Sequence, residues 1–471
     1  MFYPERKIFV KFGIIALLLL AVDCATYYQK NIKFQENFIK GDFDQAARAL
    51  DKNKGAAKGN DRLLYFLQKG VVLQLQGNFE ESNRYLEEAY LFTEDIQKNY
   101  AREAFSLLSN PTVVPYKGED FEVVLIHYYK ALNYLSLNQY EEALVECRRI
   151  NIKLNQINDK YAKRKNRYKR DAFAYNLMGI IFEAAKDYNN AFISYRNAYE
   201  AYEQDYKPFF EVEPPSQLKK DLLRTAYLNG FTQELAQYEK IFGMKYIHQK
   251  NEGGELIFFW NNGLGPVKDE WSINFFIVRG KGGLVTFVNE EYGFSFPFML
   301  DKGADNSTTF SDLKFVRVAF PKYRERKPYY RKAGIIASNK EYPLELAQNI
   351  NEIAFKTLED RMIRELANSL LRLAFKQAAE KAVSKKAENL GALLSIVNAL
   401  SEKSDTRNWQ TLPYSISYAR IPLPSGENTV EFKSLSPGKS RENVLSFKFN
   451  INKGGTIFRM FHTLDSIPLE Q

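Results

Sequence analysis

Gly70-Val-Val-Leu-Gln-Leu-Gln-Gly77-Asn78-Phe79-Glu-Glu-Ser82-Asn-Arg-Tyr-Leu86-Glu-Glu-Ala89 reads as two helices folded back on one another. Small residues at Gly70, Ser82 and Ala89 stand where two antiparallel backbones must approach. Phe79 and Leu86 stand where the groove between them needs filling. The same spacing returns in Gly179, Phe182, Asp187-Tyr188, Ala191, Tyr195 and Ala198. It returns again in Ala131, Tyr134, Gln139-Tyr140, Ala143, Cys147 and Ile150. A fainter copy is Gly41-Asp42-Phe43 with Ala46 and Leu50.

Three full copies and a partial fourth match the tetratricopeptide (TPR) pattern, so residues 24–245 are expected to form a TPR-like α-solenoid. The copies are unevenly spaced. Phe43, Phe79, Tyr140 and Tyr188 lie 36, 61 and 48 residues apart, against ~34 in a regular array. One insertion, about residues 95–122, contains Pro115-Tyr116-Lys117-Gly118-Glu119-Asp120-Phe121. The other carries Lys160, Lys163, Arg164, Lys165, Arg167, Lys169 and Arg170, seven basic residues in eleven. That run offers two readings, a site for acidic head groups or a phosphorylated polymer, and a solvated extension between helices.

The chain has 471 residues, 45% hydrophobic and 26% charged, enough for more than one packed core. Its net charge is +9, and residues 241–471 carry most of it. His127, His248 and His462 lie far apart and the cysteines number two, so no metal site and no cofactor is expected. His127 and Cys147 fall on packed helix positions. At the N-terminus Arg6, Lys7 and Lys11 precede an apolar run of 11 residues, Phe12 to Val22. This suits the core of an export signal (~7–15 residues) and is short for a membrane span (~20 residues). The run ends in Ala21-Val22-Asp23-Cys24, where a lipoprotein signal would be cut and Cys24 acylated. Asp23 departs from the small residue usual there, and the alternative is an uncleaved interfacial anchor. Residues 1–23 are accordingly expected to be a signal peptide.

From about residue 246 the apolar period changes to two. Expected strands are Glu255–Trp260, Ile273–Val278, Leu284–Val288, Lys314–Phe320, Ser415–Arg420, Asn428–Phe432, Val444–Phe449 and Gly455–Phe461. Between them, residues 344–403 read as a helical hairpin, whose apolar end Leu390–Leu400 is too short to cross a membrane. The fold class is therefore α plus α+β, a solenoid followed by a β-rich domain interrupted by helix. Its glycines fit neither GxGxxG nor GxxxxGK[ST]. Two clusters stand out. Asp405, Arg407 and Trp409 are close enough for a ligand clamp or for a structural joint that packs helix onto sheet. Arg317 to Lys332 holds seven basic residues, Lys322, Arg324, Arg326 and Lys327 among them, with one acid.

Pro115 to Glu122, Ile126 to Leu135, Gly254-Glu255-Leu256, Asn262 to Lys268 and Asp405 to Pro413 together resemble a poorly characterised family of bacterial TPR-containing envelope lipoproteins. Cys24-Ala25-Thr26 resembles the start of its mature chain. The resemblance implies a periplasmic or outer-membrane lipoprotein with no assigned activity and no catalytic residues to carry over. Some members are similar in genomic setting to genes for lipoprotein activators of penicillin-binding proteins.

The leading expectation is a non-enzymatic envelope adaptor that binds a protein or peptide in its TPR groove and reaches the membrane through Cys24. Tyr128, Asn133 and Asn176 are the expected groove contacts, because TPR grooves commonly use Asn and Tyr on peptide backbone. Two rivals remain: an envelope enzyme built around Asp405 and Arg407, and a cell-wall-polymer or anionic-lipid binder using the basic clusters. The export signal disfavours nucleic acid.

Overall fold

The computed structural model describes residues 31–53, 55–98, 114–162, 166–248, 253–280, 284–299, 315–384, 404–435 and 442–467. The signal segment with Cys24, the basic residues Lys163, Arg164 and Lys165, and the apolar stretch Leu390–Leu400 lie outside them.

Among the described residues of the first half, helices fall into five pairs: α1 (Ile32–Ile39) with α2 (Phe43–Lys52), α3 (Arg62–Leu75) with α4 (Phe79–Lys98), α5 (Asp120–Ser136) with α6 (Tyr140–Lys160), α7 (Ala172–Ala184) with α8 (Tyr188–Ala201), and α9 (Ser216–Leu228) with α10 (Thr232–Phe242). The same turn closes every pair. Gly41, Gly77, Asn138, Lys186 and Gly230 all have φ between 59° and 81°, the left-handed conformation that ends a helix. Behind each, two backbone N–H groups reach back to the last carbonyls, as in Asn78 N to Leu73 O (2.8 Å) and Gly77 N to Gln74 O (2.9 Å). Asp42 and Asp187 then cap the next helix through Gln45 N and Asn190 N. The fifth pair keeps this turn although its sequence lacks the small-residue grammar of the other copies.

The small residues do what their spacing implies. A Cβ on Gly70 would lie 2.7 Å from the Leu86 side chain, and one on Gly179 would lie 2.4 Å from the Tyr195 ring. Ala131 and Cys147, in the equivalent positions, are both fully buried. After α8 a π-helical turn (Tyr202–Tyr206) runs into the short helix Lys207–Phe210 and places Tyr202 and Tyr206 in the core.

The second half forms three four-stranded sheets. The first has the order β12 (Thr456–Thr463), β1 (Gly254–Asn262), β9 (Ser415–Leu423), β8 (Glu345–Asn349). The second has the order β11 (Glu442–Ile451), β10 (Gly426–Leu435), β6 (Lys332–Ala337), β7 (Lys340–Pro343), and the third the order β4 (Phe294–Met299), β3 (Leu284–Asn289), β2 (Val267–Arg279), β5 (Phe315–Arg324). Helix α11 (Ile350–Ser384) follows β8 and sets Leu366 and Leu370 into the core of the third sheet.

The first sheet is buried on both faces. Leu256, Phe258 and Trp260 of β1 pack onto Ile335, Val430 and Phe432 of the second sheet, with the Phe258 and Phe432 rings 5.9 Å apart. The alternate residues Ile257 and Phe259 join the solenoid core, together with Ile416 and Tyr418 of β9. Phe259 meets Phe173 of α7 at 6.1 Å. The solenoid, the first sheet and the second sheet thus form three layers, with one hydrophobic core running across the boundary at residue 245, and the third sheet packs on α11 with a core of its own.

One expectation is corrected. Residues 345–349 are strand β8, not helix, because their side chains are needed at the first sheet's edge, and α11 begins only at Ile350. A single helix is described there, and the second arm of the expected hairpin lies beyond the described residues. Strands β4, β6 and β7 also escaped the pattern. β4 contains Pro297 and lies at a sheet edge, where a missing N–H is tolerated. β6 opens inside the basic cluster.

Gly179→Ala should lower unfolding stability by about 1–3 kcal/mol, since overpacking outweighs the better helix propensity of alanine. Denaturant melts of the two proteins check this, and a variant as stable as the parent would contradict the packing described.

Candidate functional site

The expected groove residues face into the protein. Tyr128, Asn133 and Asn176 are each 2% exposed or less. Tyr128 donates its hydroxyl to Asn261 Oδ1 of β1 (3.0 Å). Asn133 stays within the solenoid, accepting from Gln74 Nε2 (2.6 Å) and donating to Ser82 Oγ and Asn83 Oδ1 (2.8 and 2.9 Å). Asn176 faces the hydroxyl of Tyr418 on β9. The reading of these three as contacts for a partner in an open groove is therefore corrected: the chain's own first sheet covers Tyr128 of α5 and Asn176 of α7, and Asn133 is spent on its neighbours in α3 and α4.

The sheet is held there by charge as well as by apolar contact. Arg420 of β9 enters the solenoid between α7 and α9. It donates to Glu183 Oε2 (2.8 Å) and the Tyr195 hydroxyl (3.0 Å), lies 3.3 Å from Asp221, and pairs with Glu255 of β1. Arg224 completes the cluster through two bonds to Glu183 and one to Asp221. Burial alone would raise the Glu183 carboxyl, but Arg224 and Arg420 outweigh it and hold it at about 2. For Asp221 burial prevails over the same two arginines and its pKa is raised.

A second junction forms where the first insertion meets the C-terminal half. Glu119 accepts from Lys268 of β2 and from Arg361 of α11. Those two cations overcome its burial and bring it to about 2. Glu122 accepts from the Tyr116 hydroxyl (2.6 Å), Glu119 N (3.0 Å) and Trp409 N (2.6 Å). Burial and the neighbouring Glu119 charge raise it to about 7.

The Asp405–Arg407–Trp409 cluster belongs to this junction. Arg407 pairs with Asp405 (2.8 Å) and with Asp61 (3.0 Å), donates to the carbonyls of Asn60 and Val114, and covers the Tyr116 ring at 5.3 Å. Trp409 is buried against Tyr129 at 5.3 Å, and its Nε1 donates to Thr411. Of the two readings open from sequence, the geometry supports the structural joint, with the guanidinium engaged on every side.

The basic patches are likewise dispersed. Arg167 binds Asp360 of α11 through its backbone N–H and guanidinium (2.9 and 2.8 Å), and Arg170 pairs with Asp205. Arg326 is buried, donating to the carbonyls of Gly265 and Gln410, and Arg324 lies 3.5 Å from Asp269. Among the described members Lys160, Lys169, Arg317, Lys322, Lys327, Arg331 and Lys332 are exposed, while Arg167, Arg170, Arg324 and Arg326 are tied to acceptors within the fold, so each run divides between solvated cations and structural ones. His127 shares a buried bond with Glu146 (2.7 Å), and burial pushes the Cys147 thiol up. Sequence reasoning missed Arg420, Arg361, Glu119 and Glu122. For Arg420 and Glu122 the signal was a charged residue in an otherwise apolar strand or helix segment, whereas Glu119 and Arg361 stand among other charges and carried none.

These features define a helical-repeat protein whose solenoid grips its own β-domain. No protein-family model and no curated protein matches the chain. Solved structures similar to part of it include MamA, at 16% identity and a TM-score of 0.29 over 45% of this chain and 86% of that one. BtubC (BKLC) from P. vanneervenii gives 14%, 0.30, 47% and 83%. A tetratricopeptide repeat protein from Parabacteroides merdae gives 14%, 0.20, 47% and 80%. The assignment of TPR-like repeats here rests on the chain's own turns and interhelix contacts.

Two outcomes are expected. Arg420→Ala, which strands Glu183, Asp221 and Glu255 without their shared cation, should cost about 3–5 kcal/mol, read from denaturant midpoints, and a loss below 1 kcal/mol would contradict the network. Glu122 binds its proton more tightly in the folded chain than in the unfolded one. Its contribution to stability therefore falls as pH rises from about 4.5 to about 7. Glu122→Gln should gain stability relative to the parent across that window, and parallel melting curves from pH 5 to 8 would contradict it.

Proposed function

We propose that this protein is a non-enzymatic scaffold of the bacterial cell envelope, tethered through an acylated Cys24 and presenting a rigid surface to an envelope protein or peptide. The observation that carries this reading is the self-occupied solenoid. Repeats that spend their inner side on the chain's own sheet leave their outer helices for contacts in trans. On those second helices Leu91 of α4, Val145 and Ile152 of α6 and Ile193 of α8 stand in solvent, between 37% and 56% exposed. Aliphatic side chains repeated along one set of helices suit a protein partner better than an anionic polymer.

A link to cell-wall assembly follows from the family resemblance in sequence. The enzymatic alternative loses its proposed centre, because Arg407 and Asp405 hold the two halves together. The polymer-binding alternative retains the exposed cations of the two runs, from which Arg167, Arg170, Arg324 and Arg326 are withdrawn into ion pairs or carbonyl contacts.

In cells, Cys24→Ser should move the chain from the membrane to the soluble fraction and abolish labelling by palmitate. Ile152→Asp should remove a crosslinked protein partner while leaving the thermal midpoint within about 2 °C, as for a surface substitution. An unlabelled parent chain would contradict the tether, and a partner retained by Ile152→Asp and Ile193→Asp alike would contradict the outer-face reading.

A further inference from the structure

A cleft of about 590 Å³ opens between the two halves beside the Glu119 junction. Its walls come from four places: the first insertion at Pro115 to Asp120, the end of α6 at Lys160 and Tyr161, strands β2 and β5, and one face of α11. The α11 face is a polar stripe, Arg361, Arg364, Glu365, Asn368 and Ser369. These positions are three, four, seven and eight apart and so share one side of a helix. On a helix that packs Leu366 and Leu370 into a core, a stripe of this composition turned into a concave space, not out to solvent, calls for a polar occupant.

The charges indicate its sign. Five cations line the cleft, Lys117, Lys160, Lys268, Arg361 and Arg364, with four acids, Glu119, Asp120, Glu365 and Asp405. Glu119 is shared by Lys268 and Arg361. Asp120 lies 3.4 Å from Lys160 and accepts from the Tyr161 hydroxyl. Asp405 is committed to Arg407. Glu365, one turn along α11, acts on Arg361 together with Glu119 and Asp120, so the surplus positive charge falls on Arg364 and the exposed Lys117, with Arg361 beside them. Arg361 uses Nη2 on Glu119, and its Nε is buried with no acceptor. The Arg364 guanidinium carbon lies over the Tyr161 ring, 4.8 Å from its centre, with Nη2 3.3 Å from the Tyr161 hydroxyl. Two guanidinium groups one helical turn apart, each with donors to spare, match the forked geometry of an oxyanion. Val114, Pro115 and Tyr116 of the first insertion and Pro321 of β5 give the cleft apolar lining, to which α11 adds Leu358.

We propose that this cleft is a ligand site for a small molecule with a phosphate or carboxylate at one end, gripped by Arg361 and Arg364, and an apolar body at the other. Because both halves line it, an occupant bridges the solenoid and the C-terminal domain and raises the thermal midpoint of the whole chain.

Titration calorimetry on the intact chain tests this with three probes: inorganic phosphate, phenyl phosphate and phenylacetate. Saturable one-site binding of phenyl phosphate or phenylacetate, tighter than that of inorganic phosphate, is expected. Which of the two binds better tells a phosphate from a carboxylate ligand. Arg364→Gln should weaken binding about tenfold, whereas Lys448→Gln, the same charge change at an exposed position away from the cleft, should not. Asn368→Trp, which fills the cleft and removes no charge, should block binding, and its circular dichroism reports folding independently. The proposal is overturned if no probe saturates below about 10 mM, or if Arg364→Gln and Lys448→Gln weaken binding equally.

Discussion

Arg420 brings a full positive charge to a place from which water is excluded, and the arrangement of the two halves follows from how that charge is met. Desolvating a guanidinium is costly, and the cost is offset only when several acceptors are already in position. Here Glu183 and Asp221 come from different repeats of the solenoid, and Glu255 comes from the neighbouring strand. Apolar packing brings β9 and β1 against α5 and α7, since hydrophobic attraction is strong and unspecific. The ion cluster selects one register from the many that would bury similar area, because a one-residue slip would point Arg420 into the core of the β-sandwich.

The two insertions that spoil the even repeat have a physical purpose in this arrangement. The first supplies Tyr116, Glu119 and Glu122, which bind Arg407, Lys268, Arg361 and the Trp409 backbone. The second supplies Arg167 for Asp360 and, at its end, Asp171, which accepts from Gln348 of β8. A regular array has no side chains at the right height to reach a sheet lying against it. The lengthened loops provide them at two points on either side of α5 and α6, with Arg420 beyond at the next repeat. The β-domain is therefore fixed at several separated places, which makes the molecule one body and not two beads on a string.

The repeats were legible in the sequence because their constraint is local. Gly70 and Leu86, or Gly179 and Tyr195, lie sixteen positions apart, and the steric requirement is written in residue size. Strands β9, β10 and β12 were legible for the same reason, since alternation survives in a short window, and β1 was legible as a short unbroken apolar run, Leu256 to Trp260. What the sequence concealed was long-range. Nothing near Tyr128 or Asn176 indicates that Asn261 and Tyr418, far along the chain, lie against them. A residue of the type that binds peptides in an open groove is equally suited to bind a strand of its own chain. Lys268, beside Asp269 and Glu270, and Arg326, in a basic stretch, likewise look like surface cations until their acceptors, Glu119 and the carbonyls of Gly265 and Gln410, are brought to them by folding. Strand β8 was hidden by its helix-like composition, which the edge of the first sheet overrides.

The claim on which this account turns is that the solenoid and the first sheet open together. Native-state hydrogen exchange across a denaturant series measures it directly. The account predicts that amides of β1 and β9 exchange with the same free energy of opening, and the same denaturant dependence, as those of α5 and α7. If β1 and β9 become accessible at low denaturant while α5 and α7 stay protected, the groove can be vacated without unfolding the repeats, and the single-body description is wrong.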